Sequence, residues 1–146
     1  CKMYYDLYGL KTVIFRYFNV YGERQPIKGS YAPVLGIFLR QNQNNEPLTI
    51  IGDGFQTRDF IHVSDVVSAN ILATEKELLN YGEVFNVGTG IGTSIESLAN
   101  VVSSNQIHLP EREAEINHSR ANVDKIKEAL EWEPKINVLQ WLKEQL

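Results

Sequence analysis

Lys11-Thr-Val-Ile-Phe-Arg-Tyr-Phe18, running into Asn19-Val-Tyr-Gly22, is the stretch that decides the fold. It is dense in β-branched and aromatic residues and does not alternate strictly between apolar and polar. A strand of that kind is buried on both faces, as in a parallel sheet covered by helices. The reading predicts a strand over Lys11–Phe18 that ends at Asn19. Ligands of open parallel sheets bind beyond the carboxyl ends of the strands, so Asn19 falls where a site is expected. Its amide both donates and accepts, which suits a phosphate or a sugar hydroxyl. The competing reading is a turn asparagine that bonds its own backbone.

Upstream, Cys1 to Tyr8 reads as the last turns of a helix, stopped at Gly9 in a left-handed conformation. That pattern sets the expectation that the chain is the C-terminal piece of something longer. Downstream, Val34, Leu35, Phe38 and Leu39 recur at helical spacing within Ala32–Gln43. Pro47–Ile51 reads as a short strand, Gly52-Asp-Gly54 as a turn and Phe60–Val63 as another short strand. Ser64 or Asp65 is expected to cap a helix over Val66–Lys76. Glu83–Val87 reads as a strand and Gly88–Gly92 as a glycine turn. Thr93 or Ser94 is expected to cap a helix to about Ser103. Gln106–Glu115 reads as loop, Ile116–Ser119 as a short strand, Val123–Leu130 as a helix capped by Asn122, and Val138–Leu146 as a final amphipathic helix. Short strands alternating with helices give an α/β class.

The chain of 146 residues suits one domain, and its 43% hydrophobic and 22% charged residues are ordinary for a globular protein. No apolar run approaches the ~20 residues of a membrane span. One cysteine rules out an internal disulfide and fits a reducing compartment. Residues 1–65 carry 7 basic and 6 acidic side chains, and residues 66–146 carry 7 and 12. That balance argues against a nucleic-acid binder and leaves room for a small anion held by a few placed arginines.

Arg58 follows the glycine turn and precedes Asp59. It reads either as a guanidinium that clamps a diphosphate or as a surface ion pair with Asp59 or another acid. Gly88-Thr-Gly-Ile-Gly92 follows a strand and precedes a helix, but its glycines fall at the first, third and fifth positions. A dinucleotide loop needs the first, third and sixth, so a structural turn is favoured. His62, His108 and His118 share no metal spacing, and His62, between Ile61 and Val63, reads as a buried structural histidine. Arg112 between Glu111 and Glu113 reads, by itself, as a solvated ion pair. Trp141 reads as core packing.

Taken in order, Tyr8-Gly-Leu10, Arg16–Gly22, Gly29-Ser-Tyr-Ala32, Leu48–Gly54, Thr57–Val63, Asp65-Val66, Phe85–Gly90, Ser94-Ile95 and the tail Arg112…Glu115…Trp132…Pro134 resemble the extended short-chain dehydrogenase/reductase family. The likeness is to its NAD-dependent epimerases and dehydratases, nearest the UDP-glucose 4-epimerase type, and it runs along the whole chain. It implies an α/β fold: the C-terminal part of a Rossmann-type NAD-binding fold plus its smaller substrate-binding region, over residues 1–146. It implies that Tyr17 and Phe18 lie at the nicotinamide end of NAD and that Asn19 contacts the substrate phosphate or sugar. Pro33 and Val34 match the start of the helix that touches the sugar nucleotide, and Thr49 and Ile51 match main-chain positions that read the base. Arg58 and Arg112 match the diphosphate arginines. Glu115 stands where many members have the aspartate that binds the ribose, and Gly36 replaces a common proline.

The resemblance further implies that the glycine-rich NAD loop and a catalytic Tyr-x-x-x-Lys pair lie upstream of Cys1, so no catalytic residue and no metal ligand is expected in this chain. NAD would be held mainly by that upstream half, and the chain alone would not turn over. The implied parent is a cytoplasmic, homodimeric nucleotide-sugar epimerase acting on a UDP-sugar through a 4-keto intermediate, binding neither nucleic acid nor membrane. A 4,6-dehydratase or a non-catalytic nucleotide-binding remnant is the alternative.

Overall fold

A computed structural model describes residues 1–29, 32–78 and 80–146. Ser30 and Tyr31, inside the quoted Gly29–Ala32 segment, lie outside them. The elements are α1 (Lys2–Tyr8), β1 (Val13–Tyr17), β2 (Asn19–Tyr21), α2 (Val34–Gln43), β3 (Leu48–Ile51), β4 (Thr57–Arg58), β5 (Phe60–His62), α3 (Val63–Glu75), β6 (Glu83–Val87), β7 (Thr93–Ser94), α4 (Ile95–Val102), β8 (Gln106–Leu109), α5 (Asp124–Leu130) and α6 (Val138–Glu144). The class is α/β, as expected. Strands β1 and β6, β2 and β5, and β3 and β8 pair in parallel, while the short β4 and β7 pair antiparallel.

The strand expected over Lys11–Phe18 forms as β1, but the extended chain does not end at Asn19 and continues as a second strand, β2. The Phe18 N–H still bonds to the Val87 carbonyl beyond β6, but the next N–H, of Asn19, bonds to the Asp59 carbonyl beside β5. Between two consecutive residues the chain changes its sheet partner. Such a switch opens a crevice at the strand ends, because neighbouring connections leave in different directions.

Two apolar clusters flank this switch. One packs Phe38 and Leu35 of α2, Leu48 and Ile50 of β3, Leu98 of α4 and Leu142 and Trp141 of α6 around Tyr21. The other packs Phe85 and Val87 of β6, Ile61 of β5, Ile126 and Leu130 of α5 and Trp132 against α3. Trp141 is therefore core, as expected. Helix α1 buries no residue and ends at Gly9 with φ 68°.

Three local expectations are corrected. Gln106–Leu109 is not loop but β8, because a parallel partner, β3, is available to it. Ile116–Ser119 forms only a bridge between His118 and Thr57. The third helix starts at Val63, capped by the buried His62, whose Nδ1 accepts from the Ser64 N–H at 3.2 Å. Asp65 is buried instead and accepts the N–H groups of Lys135 and Ile136 at 3.1 Å each, fixing the segment that leads into α6. Ser94 caps α4, accepting from the Ser97 N–H at 3.1 Å. Asn122 accepts from the Asp124 N–H at 3.0 Å as α5 begins.

Candidate functional site

The crevice at the strand switch opens into a cleft of about 470 Å³. All eight residues expected to touch substrate line it: Asn19, Pro33, Val34, Thr49, Ile51, Arg58, Arg112 and Glu115. They come from five separate parts of the chain. Asn19 is placed by the partner switch. Its Nδ2 donates to the Asp59 carbonyl at 3.0 Å, the same oxygen that takes its main-chain N–H. The asparagine is thus clamped across the sheet and does not close a turn on its own backbone.

Pro33 precedes the first residue of α2 and Val34 begins it. Among the described residues no side chain caps this helix start, which borders the cleft, and the first-turn N–H groups of a helix have no intrahelical acceptor. Free helix N–H groups favour an anion.

Of the two expectations for Arg58, the ion pair is present, but with another acid, Glu115, and not with the neighbouring Asp59. In the extended backbone successive side chains point to opposite faces. Arg58 turns to the cleft, where it ion-pairs with Glu115 and donates from Nη1 to the Thr57 carbonyl at 2.9 Å and to the Ile116 carbonyl. Both partners are mostly buried, with side chains 19% and 24% exposed. Arg112 lines the same cleft and makes no ion pair with Glu111 or Glu113 among the described residues. The site therefore holds one arginine fixed by a carboxylate and one whose charge is uncompensated by a close acid.

Asp59 turns inward and is fully buried. Its carboxylate accepts from the Thr89 N–H and Oγ1 at 2.7 Å each, the Gly90 N–H at 2.9 Å and the Ala121 N–H at 3.0 Å. The glycine turn is thus a cradle for an anion that the protein itself supplies. A Cβ on Gly88 would stand 2.9 Å from Asp59 Oδ2 and 2.7 Å from Ala121 Cβ. The structural reading of the turn holds. Residue spacing could not have found Asp59's partners, since they lie about thirty and sixty positions downstream.

Two glutamines also escaped the sequence reading. The N–H groups of Leu48 and Gly52 bond to β8, at the Asn105 and Leu109 carbonyls. In a parallel ladder the intervening odd residues turn their main-chain groups to the other edge. That edge of Thr49 and Ile51 faces the cleft. The buried Gln41 accepts from the Thr49 N–H at 3.2 Å and donates to Thr49 Oγ1 at 3.0 Å. Gln56 donates to the Ile51 carbonyl at 2.8 Å. The signal for Gln41 was a polar residue three positions after Phe38, on the buried stripe of α2.

Tyr17 and Phe18 border a neighbouring open cleft with Arg16, Asn86 and Ser119, and Asn19 is common to both clefts. The Tyr17 hydroxyl donates to Asn70 Oδ1 at 3.1 Å, and its ring stacks on Phe15. Beneath the substrate cleft, burial pushes the Tyr21 hydroxyl well above its ordinary range, assisted by the Asp65 and Glu23 charges. Tyr21 is buried in the core, and its hydroxyl donates to the Ile136 carbonyl at 3.5 Å. Glu23 takes the Trp141 indole N–H at 3.0 Å, which holds its carboxyl below the usual range. Among the described residues no cluster of His, Cys, Asp and Glu has the geometry of a metal site, and no helix is long and apolar enough to cross a membrane.

Residues 1–88 match the NAD dependent epimerase/dehydratase family. A UDP-glucose 4-epimerase of Thermotoga maritima, crystallised with UDP-glucose, is 39% identical and superposes with a TM-score of 0.87 over 97% of this chain and 48% of its own. A UDP-N-acetyl-alpha-D-glucosaminuronate decarboxylase of Bacillus cytotoxicus is 36% identical over 96% of this chain and 46% of its own length. A UDP-glucuronic acid 4-epimerase of Bacillus cereus, crystallised with UDP-glucuronic acid and NAD, is 28% identical with a TM-score of 0.86, over 99% of this chain and 47% of its own. The chain spans about half the length of the curated relatives it matches.

Proposed function

This chain belongs to the NAD dependent epimerase/dehydratase family, and we propose that it is the C-terminal, substrate-binding part of a nucleotide-sugar epimerase acting at C4 of a UDP-hexose. The observation that carries the reading is the convergence of eight separately placed residues, two of them arginines, on one cleft. Arg58 and Arg112 hold the diphosphate, each as a charge-assisted clamp. The uncapped start of α2 at Pro33 and Val34 adds main-chain donors beside it. Asn19, at the junction of the two clefts, meets the phosphate or the sugar. The Thr49 and Ile51 main chain takes the base, and Glu115 the ribose. Relatives that carry out epimerisation and decarboxylation support a nucleotide sugar as the common substrate class.

The open cleft at Tyr17 and Phe18 has a flat aromatic border suited to a planar ring, so these two residues would face the nicotinamide of NAD. NAD, when bound, supplies reversible hydride removal at the sugar carbon. The residues of this chain orient the sugar and hold its diphosphate. The proton at the sugar hydroxyl needs a base, and the Tyr21 hydroxyl is buried and committed to the Ile136 carbonyl. In this reading the base and most of the NAD contacts belong to the other half of the complete enzyme, so the chain alone binds and does not turn over.

Calorimetric titration with UDP tests the reading. UDP should bind, and Arg58→Ala should weaken binding by about 1.5–3 kcal/mol, the range of hydrogen bonds to charged groups. No binding by the unaltered chain would overturn the assignment of the cleft. Turnover of UDP-glucose to UDP-galactose by this chain with added NAD would overturn the division of labour. A 4,6-dehydratase would share the clamp, and the product formed by the complete enzyme from its nucleotide sugar separates the two activities.

A further inference from the structure

The edge of β3 that faces the cleft presents four main-chain groups in order: Thr49 N–H, Thr49 C=O, Ile51 N–H and Ile51 C=O. The outer two are already bonded, to Gln41 Oε1 at 3.2 Å and to Gln56 Nε2 at 2.8 Å. Among the described residues the inner two, an acceptor followed by a donor, meet no partner. Gln41 is only 5% exposed, and its second bond, from Nε2 to Thr49 Oγ1 at 3.0 Å, fixes which way its amide points. Its oxygen is therefore committed to the Thr49 N–H. The two amides come from opposite directions, one from α2 and one from the loop after β3, and leave a window one hydrogen-bonded pair wide.

We infer that Gln41 and Gln56 are positioning residues that set base selectivity, by closing every register on this edge except one acceptor–donor pair. The inference rests on the nucleotide reading of the cleft. Its chemistry follows from the edges of the pyrimidines. Uracil carries a donor, N3–H, beside an acceptor, O4. Cytosine reverses them, with an acceptor N3 beside a donor amine. For a base whose C4 substituent lies toward Ile51, uracil places N3–H on the Thr49 carbonyl and O4 on the Ile51 N–H. Cytosine in the same direction must slide one group back, giving N3 to the Thr49 N–H and its amine to the Thr49 carbonyl. Gln41 occupies that N–H, so the second register is closed. Gln56 does the same on the far side, where a free Ile51 carbonyl would otherwise accept the cytosine amine with N3 on the Ile51 N–H. A polar partner left unpaired when the base is bound is what makes such discrimination strong.

The test compares UDP with CDP by calorimetry in the protein and in Gln41→Met and Gln41→Glu. Methionine keeps the volume and frees the Thr49 N–H; glutamate keeps an acceptor on it. UDP is expected to bind at least about tenfold tighter than CDP in the protein, as befits a site built on hydrogen bonds. That ratio should fall at least fivefold in Gln41→Met and persist in Gln41→Glu, whose added charge weakens both diphosphates alike. An unchanged ratio in Gln41→Met, with UDP still bound, overturns the role of Gln41 and leaves the nucleotide reading intact. Failure of UDP to bind the unaltered protein overturns the nucleotide reading itself, and this inference with it. Amide NMR of the unaltered protein decides the matter without any variant. Saturating UDP should shift the Ile51 amide strongly and leave the Thr49 amide near its free position, and the reverse pattern overturns the inference.

Discussion

Replacing Asp59 is the sharpest test of how the site is held. Its buried carboxylate accepts four hydrogen bonds, three of them from main-chain N–H groups of Thr89, Gly90 and Ala121. In Asp59→Ala those three donors lose their acceptor inside the protein. Each orphaned donor costs about 1–3 kcal/mol, and the losses do not add fully because the chain relaxes and water enters. A loss of about 3–5 kcal/mol is expected, the range for breaking one side of a buried charged network. That is a large part of the ~5–15 kcal/mol that holds a domain together. Asp59→Asn makes the argument stricter. Oδ1 faces Thr89 and Oδ2 faces the N–H groups of Gly90 and Ala121, so either orientation of the amide turns its NH₂ group toward a main-chain N–H. Asparagine should therefore lose at least about 2 kcal/mol despite its matching shape. Urea unfolding, followed by fluorescence of the two tryptophans, measures both values at constant slope. An Asp59→Asn midpoint equal to that of the unaltered protein would refute the claim that the turn is built around a carboxylate.

Further outcomes are expected elsewhere. Gly36→Ala gains helix propensity of about 1 kcal/mol, yet its Cβ would fall 2.5 Å from the Pro26 carbonyl oxygen, which is backbone and cannot swing away. The clash should win, with a net destabilisation of about 1–3 kcal/mol by thermal unfolding, and a more stable variant would show that the loop yields freely. Glu23 is held below its ordinary 4.5 chiefly by the Trp141 indole, then by its own N–H and by His62. A depressed carboxyl contributes stability above its unfolded value that is lost as the pH falls below 4.5 through the folded one. Glu23→Gln should flatten that acid limb, and an unchanged pH profile would place the acid sensitivity on other carboxyls.

Much of the fold was legible because it rests on local rules. The β-branched run at Val13–Tyr17, the left-handed stop at Gly9, the Ser94 cap and the Glu83–Val87 strand each need only neighbouring residues to be recognised. The spacing of the glycines in Gly88–Gly92, at the first, third and fifth positions and not the first, third and sixth, was enough to favour a structural turn. The ordered motifs also named eight of the residues that line the cleft. Gln106–Leu109 was misread because its sequence, with a glutamine, a histidine and a following proline, carries little strand signal of its own, and a strand there depends on β3 being alongside.

What the sequence determined by itself was the α/β class, which is written in periodicity, and the family with eight of the residues around the cleft, which follow from the resemblance carried by ordered short motifs. Tertiary structure alone decided which groups pair. It turned Asp59 inward to hold the glycine turn and gave Arg58 to Glu115. It made the strand change partners at Phe18, and it brought Gln41 and Gln56 onto the open edge of β3. The reason is physical. A hydrogen bond or ion pair depends on distance and direction in space, and these partners, up to about sixty residues apart along the chain, meet only once the sheet has set its register.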